Sequence, residues 1–212
     1  MSGIEFNCKE LSTNPNNKLE SGELKAEIYH KSGDPENVNR IRLETMYAEV
    51  EILPSKGLSV GEAFFNGKAV FWEPPIGMPN PDTLDLWSEE VAINGKPAPG
   101  FTFLKTFNGG IELYGLKNWG MPVKKDGTLQ LLHGETSNIP VENVELQIQD
   151  KDKIILTGSF LYKTWKGDSS LPWYQRGANL CLVKRKVILL NNEAPEIEIY
   201  DEFKNISNSD FF

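Results

Sequence analysis

Histidine and cysteine are scarce in this chain of 212 residues, which contains only two of each. Cys8 and Cys181, like His30 and His133, stand at unrelated positions, so they form neither a zinc-ligand spacing nor a disulfide framework. The GxSxG, GxGxxG and GxxxxGKS/T motifs are missing as well. We therefore expect no metal site and no cofactor.

Basic residues are outnumbered by acidic ones, 22 against 30, which gives a formal net charge of −8. Proteins that bind nucleic acids or anionic membranes present clustered cations, so neither partner is expected. A neutral small molecule such as a sugar is compatible with this charge. No apolar run reaches the roughly 18 residues of a membrane span, and the N-terminus lacks the segments of a signal peptide. We expect a soluble, cytoplasmic protein.

Short alternating segments separated by turns dominate the sequence. Val144, Leu146 and Ile148 alternate with polar residues, as in a half-buried strand. The 13 prolines and 18 glycines argue against long helices. The pattern predicts an all-β, antiparallel sandwich with well over half of its ordered residues in strands. Further strands are predicted at 24–30, 40–53, 68–72, 100–107, 154–164, 179–190 and around Ile197, Ile199 and Phe203, and residues 84–90 predict one helical turn.

Composition also divides the chain into two parts. Residues 1–22 are polar and predict an N-terminal lead-in with one short strand. Residues 23–212 predict a single β-sandwich domain, because all-β folds commonly use about 200 residues for one domain.

His133 is the first candidate for a functional side chain. Gly134 follows it directly, which lets the backbone bend and leaves the imidazole ring unshielded. Glu135 and Asn138 then supply further hydrogen-bonding groups. Spacing alone leaves open the alternative of a structural histidine. His30, at the end of a strand beside a turn, is expected on the surface.

Arg185 is the second candidate, because it lies on an apolar strand face with Val183 and Val187. A guanidinium there needs hydrogen-bond partners, and a buried salt bridge and a ligand contact are equal alternatives. Aromatic rings could support the C–H face of a sugar or could be ordinary core residues; the candidates are Trp72, Tyr114, Trp119, Trp165 and Trp173.

Several segments in this order resemble one family: ILPSKGLSVG (52–61), GKAVFWEPPIG (67–77), FNGGIELYGLKNWG (107–120), the His-Gly segment at 133, NLCLVKR (179–185) and YDEFKN (200–205). Together they resemble an uncharacterised bacterial branch of the galactose-mutarotase-like (aldose 1-epimerase-like) superfamily, over residues 40–210. The resemblance implies an antiparallel β supersandwich whose concave face binds carbohydrate. It also implies mutarotation by general acid–base ring opening, in which a carboxylate takes the anomeric proton and a histidine protonates the ring oxygen.

The resemblance carries over to individual residues. His133 matches the first of two family histidines, the one that helps bind and polarise the sugar, and is the predicted catalytic residue. Arg185 resembles a groove-facing arginine of the branch. Together with these, the predicted substrate-binding residues are Glu135, Asn138, Trp72 and Trp119.

Two departures from the family limit this reading. Lys56 stands where the branch tends to have arginine. The second histidine would follow the segment near Phe212, with the catalytic carboxylate later still, so the chain resembles only the N-terminal portion of the family. A non-catalytic carbohydrate-recognition module or a truncated fragment is therefore the alternative to a sugar isomerase.

The expected missing strands generate a prediction about association. Without them, a strand edge and an apolar face near Phe203, Phe211 and Phe212 would be uncovered, and such surfaces promote association. We expect a homodimer, or a poorly soluble species, unless a C-terminal segment completes the sandwich. Light scattering over a wide concentration range checks this, and a stable monomer throughout would contradict it.

Overall fold

The computed structural model describes residues 2–7, 18–34, 38–72, 77–87, 91–107, 110–125, 127–141, 143–166 and 169–208. In this part of the chain 48% of the residues are in strands and 7% in helices. The predicted all-β, antiparallel fold class is therefore confirmed, although the strand content is below the expected value. Long irregular connections, whose described parts include 77–87, 110–122 and 169–178, account for the difference.

The strands of the described residues are numbered in chain order: β1 (Ser2–Asn7), β2 (Lys18–Ser21), β3 (Leu24–Tyr29), β4 (Arg40–Glu44), β5 (Ala48–Leu53), β6 (Ser59–Phe65), β7 (Lys68–Ala69), β8 (Ala92–Ile93), β9 (Lys96–Pro97), β10 (Val123–Lys125), β11 (Thr128–Gln130), β12 (Asn143–Gln149), β13 (Lys153–Lys163), β14 (Asn179–Leu190) and β15 (Glu196–Asn205). The helical elements described are α1 (Phe103–Thr106) and 3-10 turns at Pro54–Lys56, Thr136–Asn138 and Trp173–Gln175. Each has three or four residues, far too few to span a bilayer.

Two large antiparallel sheets pack face to face. One has the order β1-β12-β13-β14-β15 and the other runs β2-β3-β4-β5-β6-β7, while β8-β9 and β10-β11 form separate hairpins. The core between the large sheets combines Ile41 and Val50 from one with Leu156 and Val187 from the other, all fully buried. Burial of such side chains contributes about 1.5–3 kcal/mol each, so this layer supplies most of the driving force for folding.

Periodicity located the long strands correctly. Val144, Leu146 and Ile148 are buried in β12 as alternation predicted, and the segments near 154–164 and 179–190 form β13 and β14. The segment 40–53 is two strands rather than one. Its turn is stabilised by the Thr45 hydroxyl oxygen, which accepts hydrogen bonds from the backbone N–H groups of Tyr47 and Ala48.

The predicted strand at 100–107 is wrong, because this segment contains the helical turn α1. The Thr102 hydroxyl donates to the Leu86 carbonyl at 2.6 Å, and Phe103 is buried, so tertiary contacts override the local pattern. The helical turn expected at 84–90 is not found in its described part: Trp87 donates its backbone N–H to the Asp85 carboxylate in a side-chain-closed turn. Residues 88–90 lie outside the described residues.

The N-terminal segment contributes two strands rather than one. β1 pairs with β12, and β2 pairs with β3. The domain boundary at residue 22 stays a prediction. At the other end, Phe203 on β15 is 44% exposed, whereas Phe211 and Phe212, like Cys8, lie outside the described residues.

A buried arginine, Arg40, connects β4, β5 and the loop after β3. Its Nε and Nη2 donate to the Asp34 carboxylate at 2.6 and 3.0 Å, and its Nη1 donates to both Glu51 oxygens at 2.9 and 2.8 Å. The Tyr29 hydroxyl donates to the same Glu51 carboxylate at 2.5 Å. A Cβ at Gly61 would collide with Glu51, so the neighbouring strand β6 needs glycine there.

Removing this arginine should lower the free energy of unfolding far more than removing an exposed arginine. Arg40→Met would leave Asp34 and Glu51 as uncompensated buried carboxylates, and we expect a loss of about 3–5 kcal/mol. Arg42→Met is the matched control, since Arg42 pairs with Glu49 at 2.9 Å with 37% of its side chain exposed, and such pairs contribute less than about 1 kcal/mol. Urea unfolding measures both variants, and equal losses would refute this account.

Candidate functional site

His133 lies in the left-handed backbone region, with φ of 58°, in the turn after β11. Its Nδ1 lies 2.7 Å from the carbonyl oxygen of Trp119. Because a carbonyl oxygen only accepts, Nδ1 carries the proton and donates, and Nε2 is the unprotonated nitrogen of the neutral ring. Among the described residues Nε2 has no hydrogen-bond partner. It can therefore accept a proton or a hydrogen bond from a ligand.

A continuous row of aromatic rings, here called the aromatic shelf, runs from His133 to Trp72. Phe103 and Tyr114 contact the His133 ring at centroid distances of 4.8 and 5.2 Å. Phe107 contacts Phe103 at 5.4 Å, and Trp72 stacks on Phe107 at 6.2 Å. Tyr114 and Trp72 are 40% and 61% exposed. The shelf therefore presents apolar ring surface to solvent beside a histidine nitrogen.

Trp119 lies beside this shelf and is 79% exposed. Its loop is held by the Asn118 side-chain amide, which donates to the carbonyls of Gly120, Met121 and Leu131 at 3.2, 3.1 and 2.7 Å. These bonds fix the Trp119 carbonyl that orients His133. The structure thus brings three predicted site residues together: Trp119 contacts His133 through its backbone carbonyl, and Trp72 is linked to His133 through the row of rings.

A buried ion pair supports the shelf from below. Lys56 Nζ lies 3.1 Å from the Glu112 carboxylate, and their side chains are 1% and 0% exposed. Lys56 Nζ also donates to the Thr106 carbonyl at the end of α1. Burial lowers the pKa of Lys56, while Glu112 opposes this shift. The pair holds α1, which carries Phe103, against the segment that leads to Tyr114. The lysine that departs from the family pattern therefore has a structural partner.

Glu135 lines a separate cleft of about 460 Å³. It is 2% exposed, and burial raises its pKa to about 7, although Lys117 and the Tyr162 hydroxyl, which donates at 3.4 Å, oppose this shift. The Lys117 ammonium lies 5.0 Å from the centroid of the Trp165 ring, which also lines the cleft. The site residue Glu135 is thus a carboxyl group that exchanges its proton near neutral pH.

Arg185 forms a two-pronged salt bridge with Asp201, at 2.7 and 2.8 Å. Of the two alternatives for Arg185, a salt bridge and a ligand contact, this geometry is the one expected for the salt bridge. Its Nη1 is buried and has no partner among the described residues, and no described contact joins Arg185 to His133. Asn138 is only 3% exposed. The substrate-binding roles of Arg185, Asn138 and Glu135 stay predictions.

Trp165, Trp173 and His30 are the remaining candidates. Trp165 lines the cleft, and Trp173 is a core residue, 1% exposed, as the alternative to a sugar platform predicted. His30 is exposed, as expected, and its Nδ1 lies 3.0 Å from the Val38 carbonyl oxygen. Sequence reasoning did not single out the ring of Phe103, the carboxylate of Glu112 or the ammonium of Lys117. Only Glu112, a carboxylate between the apolar Ile111 and Leu113, left a signal that could have found it.

The architecture and the open site define an all-β protein of the galactose mutarotase-like fold. The chain belongs to the family described as Domain of unknown function (DUF4432), whose profile matches residues 36–210. It is similar to a solved structure from Klebsiella pneumoniae subsp. pneumoniae MGH 78578 that is assigned as an aldose 1-epimerase, with a TM-score of 0.61 and 17% identity. The match covers 97% of this chain and 48% of that one, so the chain spans about half its length. No curated protein matches the chain.

This likeness confirms the resemblance to the superfamily at the level of the fold. The assignment to a particular branch and the expected missing C-terminal portion stay predictions. At 17% identity the solved structure shows the architecture alone.

The buried Glu135 generates a prediction about stability and pH. Its pKa rises from 4.5 to about 7 on folding, so between these values the folded state holds a proton that the unfolded state has lost. The free energy of unfolding should therefore fall as pH rises through this window, by on the order of 3 kcal/mol. Glu135→Gln should abolish that fall in urea unfolding, whereas the exposed control Glu202→Gln should retain it. A wild-type profile parallel to that of Glu135→Gln would refute the assignment.

Proposed function

We propose that this chain is a carbohydrate-binding protein and that the aromatic shelf around His133 is its site. The observation that carries the proposal is the Nε2 of His133, which has no hydrogen-bond partner among the described residues, beside the exposed ring surface of Tyr114. A sugar presents hydroxyl groups at its edge and C–H groups on its face. The hydroxyls suit a nitrogen acceptor and the face suits an aromatic platform.

The fold likeness and the charge balance support the same ligand class. The mutarotase-like architecture is shared with a protein assigned as an aldose 1-epimerase. The net charge of −8 disfavours polyanions, whereas a neutral sugar bears no such penalty. Trp72 extends the platform through Phe107, and Trp119 offers a further exposed ring on the loop whose carbonyl contacts His133.

Isomerisation is the second candidate function. Ring opening needs an acid at the ring oxygen and a carboxylate base at the anomeric hydroxyl, and the resemblance gives His133 the role of binding and polarising the sugar. Among the described residues, Glu112 is the carboxylate tied most closely to the shelf, and it is fully buried against Lys56. Binding is therefore the function that these residues support without a further base.

The test compares the two histidines of the chain, because both place Nδ1 against a backbone carbonyl. His133→Gln should weaken the binding of neutral aldoses about tenfold in calorimetric titration, the cost of one good hydrogen bond. His30→Gln should leave binding unchanged. Equal affinities in the two variants would refute the site.

Ring stacking is tested in the same way. Tyr114→Ala should weaken binding, and Tyr200→Ala should not, since Tyr200 is a still more exposed ring that lies on β15, away from the shelf. Polarimetry of aldose mutarotation then separates the candidates, because a binding module leaves the rate unchanged and an isomerase raises it in proportion to protein concentration.

A further inference from the structure

The cleft at Glu135 shares none of its lining residues with the aromatic shelf. Its walls are the hairpin β10-β11, the segment 116–117 and the segment 164–166 after β13, with Trp87 contributing a ring. The Thr164 backbone N–H donates to the Ala178 carbonyl, and the Thr164 hydroxyl oxygen accepts from the Ala178 N–H, both at 3.0 Å. The wall that presents Trp165 is therefore anchored to the residue that precedes β14.

Positive charge is concentrated in this cleft, although the chain as a whole is acidic. Lys117, Lys125 and Lys166 line it, and Glu135 is the one carboxylate among its described lining residues. Desolvation lowers the pKa of Lys117, and Glu135 opposes this shift. The charge of Lys166 lowers the Lys117 pKa as well, so Lys117 and Lys166 lie close enough to repel each other. Lys125 and Lys166 have no ion-pair partner in the described parts of the chain.

An aromatic corner lies next to these cations. Trp87 and Trp165 contact each other with ring centroids 5.5 Å apart and tilted planes. The indole N–H of Trp165 is buried and lacks a partner among the described residues. The side chains of Thr128 and Gln130 add neutral donors and acceptors to the opposite wall.

We propose that this cleft is a second ligand site, which takes a carbohydrate carrying one anionic group, either a carboxylate or a phosphate. The anion pairs with Lys166 and Lys125, neither of which has an ion-pair partner among the described residues. The sugar ring packs against Trp165, and its hydroxyls bond Gln130 and Thr128. A neutral sugar would leave the repulsion between the lysines unrelieved, so the charge selects the ligand. The site goes beyond the function proposed for the shelf.

Glu135 makes the binding sensitive to pH. An anion beside the cleft is repelled by the carboxylate form and tolerated by the protonated form. The charged or titratable groups that face Glu135 are Lys117 from the segment before β10, Tyr162 from β13, Lys125 from β10 and Lys166 from the segment after β13. Because the Glu135 pKa lies at about 7, the affinity for a carboxylate sugar, whose own charge is constant, should fall as pH rises from 6 to 8, and its binding should take up protons.

Calorimetric titration of the full chain with glucuronate, glucose 6-phosphate and glucose tests the proposal. The wild type should bind at least one of the two anionic sugars, and which one identifies the anion. Lys166→Gln and Lys125→Gln should each weaken that binding about tenfold. Lys184→Gln is the matched control, because Lys184 is exposed on β14, which contributes no residue to the lining. With glucuronate, whose charge does not change between pH 6 and pH 8, Glu135→Gln should bind with the same affinity at both pH values.

This design tests the proposals for the shelf and for the cleft separately. His133→Gln should reduce glucose binding and leave the affinity for the anionic sugar unchanged, whereas Lys166→Gln should do the reverse. Circular dichroism confirms that each variant is folded before titration. If neither anionic sugar binds, or if the Lys125 and Lys166 variants bind it as the Lys184 variant does, the cleft is not an anion site, whatever the result at the shelf.

Discussion

The buried ion pair between Arg40 and Glu51 holds the six-stranded sheet to the loops around it. Asp34 accepts from the same guanidinium and also from the backbone N–H of Met78 at 3.0 Å, so one cation organises β4, β5 and two loops. β5 continues directly into the turn Pro54–Lys56, so the position of Lys56 depends on the position of β5. Buried charges cannot be left unpaired, which makes each partner indispensable. The aromatic shelf rests on Lys56 and therefore on this network.

The shelf and the cleft lie on either side of one chain reversal. His133 and Glu135 are separated only by Gly134. Any larger residue at position 134 would place its Cβ against the carbonyl oxygens of Gly115 and Asn118. The Thr136 hydroxyl donates to the Gly115 carbonyl at 2.7 Å and closes this approach. The sharp turn sends the imidazole to the aromatic rings and the carboxyl group to the lysines. Two neighbouring residues thus serve two different chemical environments.

The strength of sequence reasoning differed between the fold and the site. Alternation in β12 placed Val144, Leu146 and Ile148 in the core, because a strand turns every second side chain to the same face. The same local reasoning misassigned 100–107, since the contacts that hold α1 come from Leu86 and from rings distant in sequence. The Gly after His133 was a usable signal for the site. Lys117 and Lys166 carried none, because nearly fifty residues separate them.

The sequence by itself determined the fold class, the long strands and the bend of the backbone at His133 and Gly134. These follow from period-two alternation and from the conformational freedom of glycine, which are local properties of the chain. Only the tertiary structure decided that Arg185 meets Asp201, that Lys56 meets Glu112, and that Glu135 opens onto a cationic cleft. Pairing across strands and loops depends on register and on desolvation, and neither quantity can be read from a residue and its neighbours in sequence.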